Sequence, residues 1–218
     1  MTAPAAGRRA AFLDRDGVLD DPVWDRADGQ SESPLKAIDV RLAPGAAEGC
    51  GLLAEAGFEL AIVSNQPAAA KGKASMEDLR LVHERVLGLL AAHGARIGVW
   101  RYCFHHPDAV VPGLRARCGC RKPRPDMIIE LAREHGYDLS ASWMIGDADT
   151  DVAAGRAAGV NTLLVAHPLS VHRRTAALAS VPEVADLAAA AAFIEEAQQL
   201  PSPHDDRRDH HEDLRGRR

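Results

Sequence analysis

Short apolar runs punctuate the chain at residues 10–13, 60–63, Val99–Cys103, 143–145 and 162–165. Each is too short for a helix, and those at 10–13, 60–63 and 143–145 end at a polar residue or a glycine, so each reads as a buried strand. Between them the period changes. Ser75 stands as an N-cap with Asp78 at the third helical position, ahead of Leu79, Val82, Val86 and Leu89 at helical spacing. Residues 125–135 form a second helical pattern, with Pro125 in its first turn and Gly136 as its stop. A third begins near Thr150 and closes at Gly159. Strands alternating with helices predict an α/β domain, a parallel sheet with helices on both faces. The apolar stripes are core, and Cys50, in an Ala/Gly/Leu helical pattern, belongs with them.

Two long stretches, residues 20–43 and 103–122, lack either period. Loops of that length inside a compact domain are functional or disordered. Residues 201–218 mix Asp, Arg and His with almost no apolar residue, which predicts a disordered tail. His204, His210 and His211 are read there as solvated side chains rather than metal ligands. The expected organisation is one domain over residues 8–198 and a tail over 199–218, and 218 residues suit a single α/β domain. A net charge of −5 without a polybasic run argues against a nucleic-acid partner. No apolar stretch is long enough for a membrane span, and the two arginines before residue 10 precede no apolar signal core. A cytoplasmic protein is expected; the oligomeric state is left open, a monomer being one option.

The first apolar run leads directly into Asp14-Arg15-Asp16-Gly17. Two carboxylates at i and i+2 leave a strand on one face, where they repel each other and lose solvation unless a cation or substrate compensates. Alone, such a pair suits a solvated Asp-rich turn. Three later segments change that reading: Val63-Ser64-Asn65, Arg121-Lys122-Pro123 and Ile145-Gly146-Asp147 each place a polar group at a strand end or helix start. In a parallel sheet these ends converge, and ligands bind there. The set suits phosphoryl transfer, with Asp14 as nucleophile and Asp16 as general acid and then base. Mg²⁺ would be held by Asp14, Asp16 and Asp147, carboxylates and a backbone carbonyl among the ligands. Ser64 and Lys122 would meet the phosphate oxygens. Asp151 either orients the metal shell or serves as a helix N-terminal acid.

Asp14-Arg15-Asp16-Gly17, Ser64-Asn65-Gln66, Cys120-Arg121-Lys122-Pro123 and Gly146-Asp147 resemble the four motifs of the haloacid dehalogenase superfamily of phosphatases, over residues 10 to about 165. Within it the chain looks most like the D-glycero-D-manno-heptose 1,7-bisphosphate 7-phosphatases, with the histidinol-phosphate phosphatases as near relatives. The resemblance implies a Rossmann-like three-layer sheet, Mg²⁺ dependence, a minimal cap and a flap within residues 20–43. The implied substrate is a small sugar phosphate; histidinol phosphate or another small metabolite is the alternative. Arg121 and Lys71 would contact its remote phosphate or hydroxyls, with Asn65 and Gln66 nearby. Pro67-Ala68-Ala69-Ala70 and Ala148 depart from the family's usual residues around the substrate.

Cys103, His105, Cys118 and Cys120 supply three thiolates and an imidazole, enough to close a tetrahedral Zn²⁺ site with no open position. Reduced cysteines near a turn are the plainer reading. The two phosphatase groups carry a C-x-H…C-x-C zinc loop, which His105 fits and His106 does not. Fixing that loop would fix Arg121 and Lys122, the residues after Cys120. A non-catalytic, zinc-stabilised binding module is the rival from another class, and it predicts loss of Asp14, Asp16, Lys122 or Asp147. All four are present.

Overall fold

The computed structural model describes residues 7–25, 29–175 and 180–199. Of the tail expected over 199–218, Gln199 is the last residue of a helix, and the rest, with its three histidines, lies outside the described residues. Six strands form one parallel sheet: β1 Arg9–Leu13, β4 Phe58–Asn65, β5 Val99–Cys103, β6 Trp143–Gly146, β7 Asn161–Val165 and β8 Glu183–Val184. Their spatial order is β5-β4-β1-β6-β7-β8. β2 Val23–Asp25 and β3 Gln30–Glu32 form a separate antiparallel hairpin. The helices are α1 Ala46–Glu55, α2 Met76–Ala92, α3 Asp126–His135, α4 Asp149–Ala158 and α5 Leu187–Gln199. Among the described residues, no helix is long and apolar enough to cross a membrane.

β1 shows how pattern becomes layer. Ala11 and Leu13 face a core shared with α1, α2 and α5, whereas Ala10 and Phe12 face one shared with α3 and α4. The period-2 pleat sends neighbours to opposite faces, and both faces are covered, so the run is apolar throughout. Phe12 and Leu13 are fully buried, each worth about 1.5–3 kcal/mol of transfer free energy. Cys50 is buried in the α1 face of this core, as its pattern predicts.

The five predicted strands are present, and β4 runs on through Ser64 and Asn65. Ser75 caps α2 by accepting from the Asp78 N–H at 3.0 Å, while the Asp78 carboxylate accepts from the Ser75 N–H at 3.0 Å. Gly136 and Gly159 end α3 and α4 in the left-handed conformation, with φ of 70° and 81°. Three parts of the fold were not predicted: the Ala-rich α5, β8 and the β2–β3 hairpin. β8 is two residues long and each strand of the β2–β3 hairpin only three, below any detectable period.

β1 lies at the centre, the chain moving outward first to β4 and β5 and later to β6, β7 and β8. The crevice beyond the carboxyl ends of β4, β1 and β6 is therefore the topological switch point.

Candidate active site

The Asp14 N–H donates to the Ile145 carbonyl at 3.0 Å, extending the β1–β6 ladder by one residue. That anchors Asp14 where the chain leaves the sheet. Its Oδ1 accepts from the Arg15 N–H at 2.7 Å and lies 3.0 Å from Lys122 Nζ. Gly17 then turns with φ of 85°, and a Cβ there would sit 2.2 Å from Asp147 Oδ2. Only glycine permits that approach.

Lys122 is 3 % exposed. Its ammonium meets Asp14 Oδ1, Asp151 Oδ1 at 2.6 Å and the Val63 carbonyl at 2.8 Å, using all three donors. Burial alone would lower its pKa, but the Asp14 and Asp151 charges outweigh it and push the value up. The Asn65 side chain holds the lysine's backbone in a reciprocal pair, donating to the Lys122 carbonyl and accepting from its N–H, both at 3.0 Å. Asp151 caps the next loop by accepting from the N–H groups of Asp147 and Ala148 at 3.2 and 3.0 Å.

Asp14, Asp147 and Asp151 bring carboxylate oxygens within 4.8 Å of one another. Burial first, then mutual repulsion, pushes Asp147 up to about 6 and Asp151 up to about 7. Asp147 Oδ1 is buried with no hydrogen-bond partner among the described residues. A hard divalent cation would satisfy that oxygen and offset the repulsion, and the all-oxygen donor set suits Mg²⁺.

Asp16, expected among the metal ligands, turns its carboxylate away from this cluster. Its Oδ1 accepts from Arg15 Nε and Nη2 at 3.0 and 2.7 Å; its Oδ2 accepts from Gln66 Nε2 at 2.7 Å and from the Ser33 hydroxyl. Burial would raise its pKa, but the Arg15 charge and these bonds hold it below the ordinary carboxylate value. Only its backbone carbonyl remains for a cation. The carboxylate that does join the cluster is Asp151.

A cavity of about 370 Å³ opens over these groups, lined by Asp14, Asp16, Asn65, Lys71, Arg121 and Lys122, with Ser31, Glu32 and Ser33 of the hairpin region on its wall. The predicted cations thus converge on one space. Ser64 and Gln66 stand behind the wall, each 1 % exposed, with Gln66 donating to the Ser64 hydroxyl at 3.1 Å. A larger hollow of about 570 Å³, lined by Ile38, Arg41, Arg85 and His93 among others, has no carboxylate or thiol on its wall. Sequence reasoning missed Arg15, fully buried and 3.3 Å from Asp20 as well as paired with Asp16. It also missed Ser33, Ser170 and Arg173. Arg15 was signalled only by lying between two aspartates; the others come from segments with no period.

The Sγ atoms of Cys103, Cys118 and Cys120 lie 3.2–3.4 Å apart, and His105 Nδ1 is 3.5 Å from Cys120 Sγ and 3.9 Å from Cys103 Sγ. A disulfide needs sulfurs about 2.05 Å apart. Ligands at about 2.3 Å around tetrahedral zinc put sulfurs roughly 3.7 Å apart. The arrangement is near the second, and all four cysteines are free thiols. Burial raises the Cys103 and Cys120 thiols, a cost that a bound cation would remove. His106 is outside the cluster, its Nδ1 accepting from the Asp108 N–H at 3.1 Å. Arg121 Nη1 donates to the His105 carbonyl at 3.3 Å, tying the cluster to the cavity wall.

Residues 119–190 match the family model for HAD-hydrolase-like proteins. The chain is 40 % identical over 160 residues to the D-glycero-beta-D-manno-heptose-1,7-bisphosphate 7-phosphatase of Rhodopseudomonas palustris, covering 73 % of this chain and 84 % of that one. It is 33 % identical to the protein of the same name from Pseudomonas aeruginosa, covering 72 % and 81 %. Among solved structures, the D,D-heptose 1,7-bisphosphate phosphatase of B. bronchiseptica, complexed with magnesium and phosphate, superposes with a TM-score of 0.72 at 26 % identity, covering 87 % of this chain and 99 % of that one.

Proposed function

The chain belongs to the haloacid dehalogenase-like hydrolases, with heptose bisphosphate phosphatases among its relatives, and from that premise we propose that it removes the 7-phosphate of D-glycero-D-manno-heptose 1,7-bisphosphate. The observation that carries the reading is Lys122, buried between Asp14 and Asp151 beneath a cavity lined by Arg121 and Lys71. Lys122 can neutralise a transferring phosphoryl group, and Arg121 and Lys71 offer cations to a second phosphate.

Asp14 attacks phosphorus through its free carboxylate oxygen. The new Asp14–phosphorus bond forms as the bond from phosphorus to the sugar oxygen breaks. That oxygen takes the proton from Asp16, which then removes a proton from water; the water oxygen bonds to phosphorus, freeing Asp14 and inorganic phosphate. The low resting pKa of Asp16 has to rise for the first step. The phosphate dianion and displacement of the Ser33 hydroxyl by the leaving oxygen both act in that direction. Lys122 carries the positive charge that faces the phosphoryl oxygens, while Ser64, expected to meet them, lies behind the cavity wall and accepts from Gln66. Asn65 and Gln66 fix Lys122 and Asp16.

Asp14 and Asp147, with the Asp16 backbone carbonyl, would hold Mg²⁺, which when bound supplies positive charge to the phosphoryl oxygens. Asp151 orients that shell from the first turn of α4. Zn²⁺ on Cys103, His105, Cys118 and Cys120 would rigidify the loop and so preorganise Arg121 and Lys122. Residues 8–198 form the catalytic unit. Reduced thiolates of this kind are at home in the cytoplasm, where we place the enzyme.

Phosphate release from both anomers of heptose 1,7-bisphosphate, histidinol phosphate and simple sugar phosphates tests the reading. The expected outcome is a kcat/KM for a heptose bisphosphate at least tenfold above every other compound. A preference for histidinol phosphate would replace the substrate, and no release from any compound would overturn the reading.

A further inference from the structure

The turn after β7, Pro168–Arg173, enters the site beside Asp147. Ser170 is fully buried, and its hydroxyl donates to Asp147 Oδ2. The same oxygen lies where a Gly17 Cβ would approach to 2.2 Å, with Arg173 Nη1 3.8 Å away. Oδ2 is thereby boxed in, and Oδ1 is left buried without a partner among the described residues. A carboxylate hung on two rotatable bonds needs such a clamp to keep one oxygen presented to a cation. The turn itself is firmly seated. Arg174 Nε donates to the Asp147 carbonyl at 2.8 Å and its Nη1 pairs with Glu183 at 2.7 Å. His167 Nε2 lies 3.2 Å from Asp21 Oδ1, and the Leu169 carbonyl accepts from the Ser31 hydroxyl of the hairpin at 2.7 Å.

We propose that Ser170 is a positioning residue for metal binding: its hydroxyl holds Asp147 so that the free carboxylate oxygen faces the cation. The inference rests on the assignment of Asp147 as a Mg²⁺ ligand made above. Partners that orient a metal ligand without touching the metal are typically worth about 10–100-fold in affinity. Ser170 lies far from the four motifs in sequence and in none of them, so the turn has recruited it through the fold alone. The adjacent Leu169 carbonyl carries the hairpin, so the post that orients the metal ligand also carries part of the cavity's wall.

The test is calorimetric Mg²⁺ titration, without substrate, of the wild type, Asp147→Asn, Ser170→Ala and the isosteric pair Ser170→Thr and Ser170→Val. The wild type should bind Mg²⁺ and Asp147→Asn should lose it; if Asp147→Asn binds as well as wild type, the metal assignment itself fails. With that assignment standing, Ser170→Ala should bind 10–100-fold more weakly, and Ser170→Thr should bind at least tenfold better than Ser170→Val. The Thr/Val pair has one shape, so disturbed packing moves both alike and cancels, and it decides the question if Ser170→Ala does not fold. Equal Mg²⁺ affinity in Thr and Val variants, or Ser170→Ala within threefold of wild type, would overturn the proposal and leave the hydroxyl a packing feature.

Discussion

Removing the Lys122 ammonium while keeping its bulk, as in Lys122→Met, isolates the charge balance at the heart of the site. The variant leaves Asp14, Asp147 and Asp151 facing one another with no buried ammonium among them, and leaves the Val63 carbonyl without its donor. Breaking a buried ion pair by deleting one partner costs about 3–5 kcal/mol. For a domain of this size that is a fall in Tm of roughly 6–20 °C, at about 2–4 °C per kcal/mol. The deficit should depend on pH and on metal. Asp147 and Asp151 titrate near 6 and 7 in the folded wild type, above their unfolded value of 3.8. The folded state therefore binds more protons than the unfolded one between about pH 4 and 7, and stability is lost as pH rises through that window. Without Lys122 both values rise further, so the deficit should be full at pH 7.5 in chelator and smaller at pH 5.5. Mg²⁺ should recover part of it, because a divalent cation replaces the missing charge. Thermal unfolding at both pH values, in chelator and in Mg²⁺, measures all of this. A Tm within 2 °C of wild type at pH 7.5 in chelator, or an equal deficit at both pH values, would refute the argument that charge compensation by Lys122 holds the site together.

Asp14→Asn should abolish turnover in a folded protein, since an amide does not attack phosphorus; a tenth of wild-type activity, with deamidation excluded by mass spectrometry, would remove Asp14 from the nucleophile's role. Asp16→Asn should lose about 10²–10⁴-fold on the sugar phosphate and much less on an activated aryl phosphate, whose leaving group needs little protonation. Equal losses on both, measured where transfer to Asp14 limits the rate, would argue against the acid assignment. Purified protein prepared without chelators should carry one tightly held Zn²⁺. The Cys118→Ala/Cys120→Ala variant should lose it together with activity that added Mg²⁺ does not restore. Normal kinetics in that variant would detach the zinc loop from catalysis.

The chain's own patterning determined the parallel sheet, because every strand of β1's kind is covered on both faces and must be apolar throughout. It also marked Asp14 and Asp147, which sit at strand ends where polarity changes abruptly, and Lys122, shortly ahead of α3, and it grouped the three cysteines with His105 by spacing. These are local signals, readable because a strand's end and a helix's start leave their imprint on adjacent residues. Tertiary structure alone decided which carboxylates come together. Asp16 is two residues from Asp14, yet Arg15, Gln66 and Ser33 draw its side chain away. Asp151 reaches the cluster because the β6–α4 loop folds its carboxylate back onto the N–H groups of Asp147 and Ala148. Ser33 and Ser170 stand 17 and 23 residues from the aspartates they touch, on segments without any period. A hydroxyl can be brought to a carboxylate by many chain paths, so its hydrogen bond leaves no pattern in the residues around it, whereas burying a strand constrains every second residue along it.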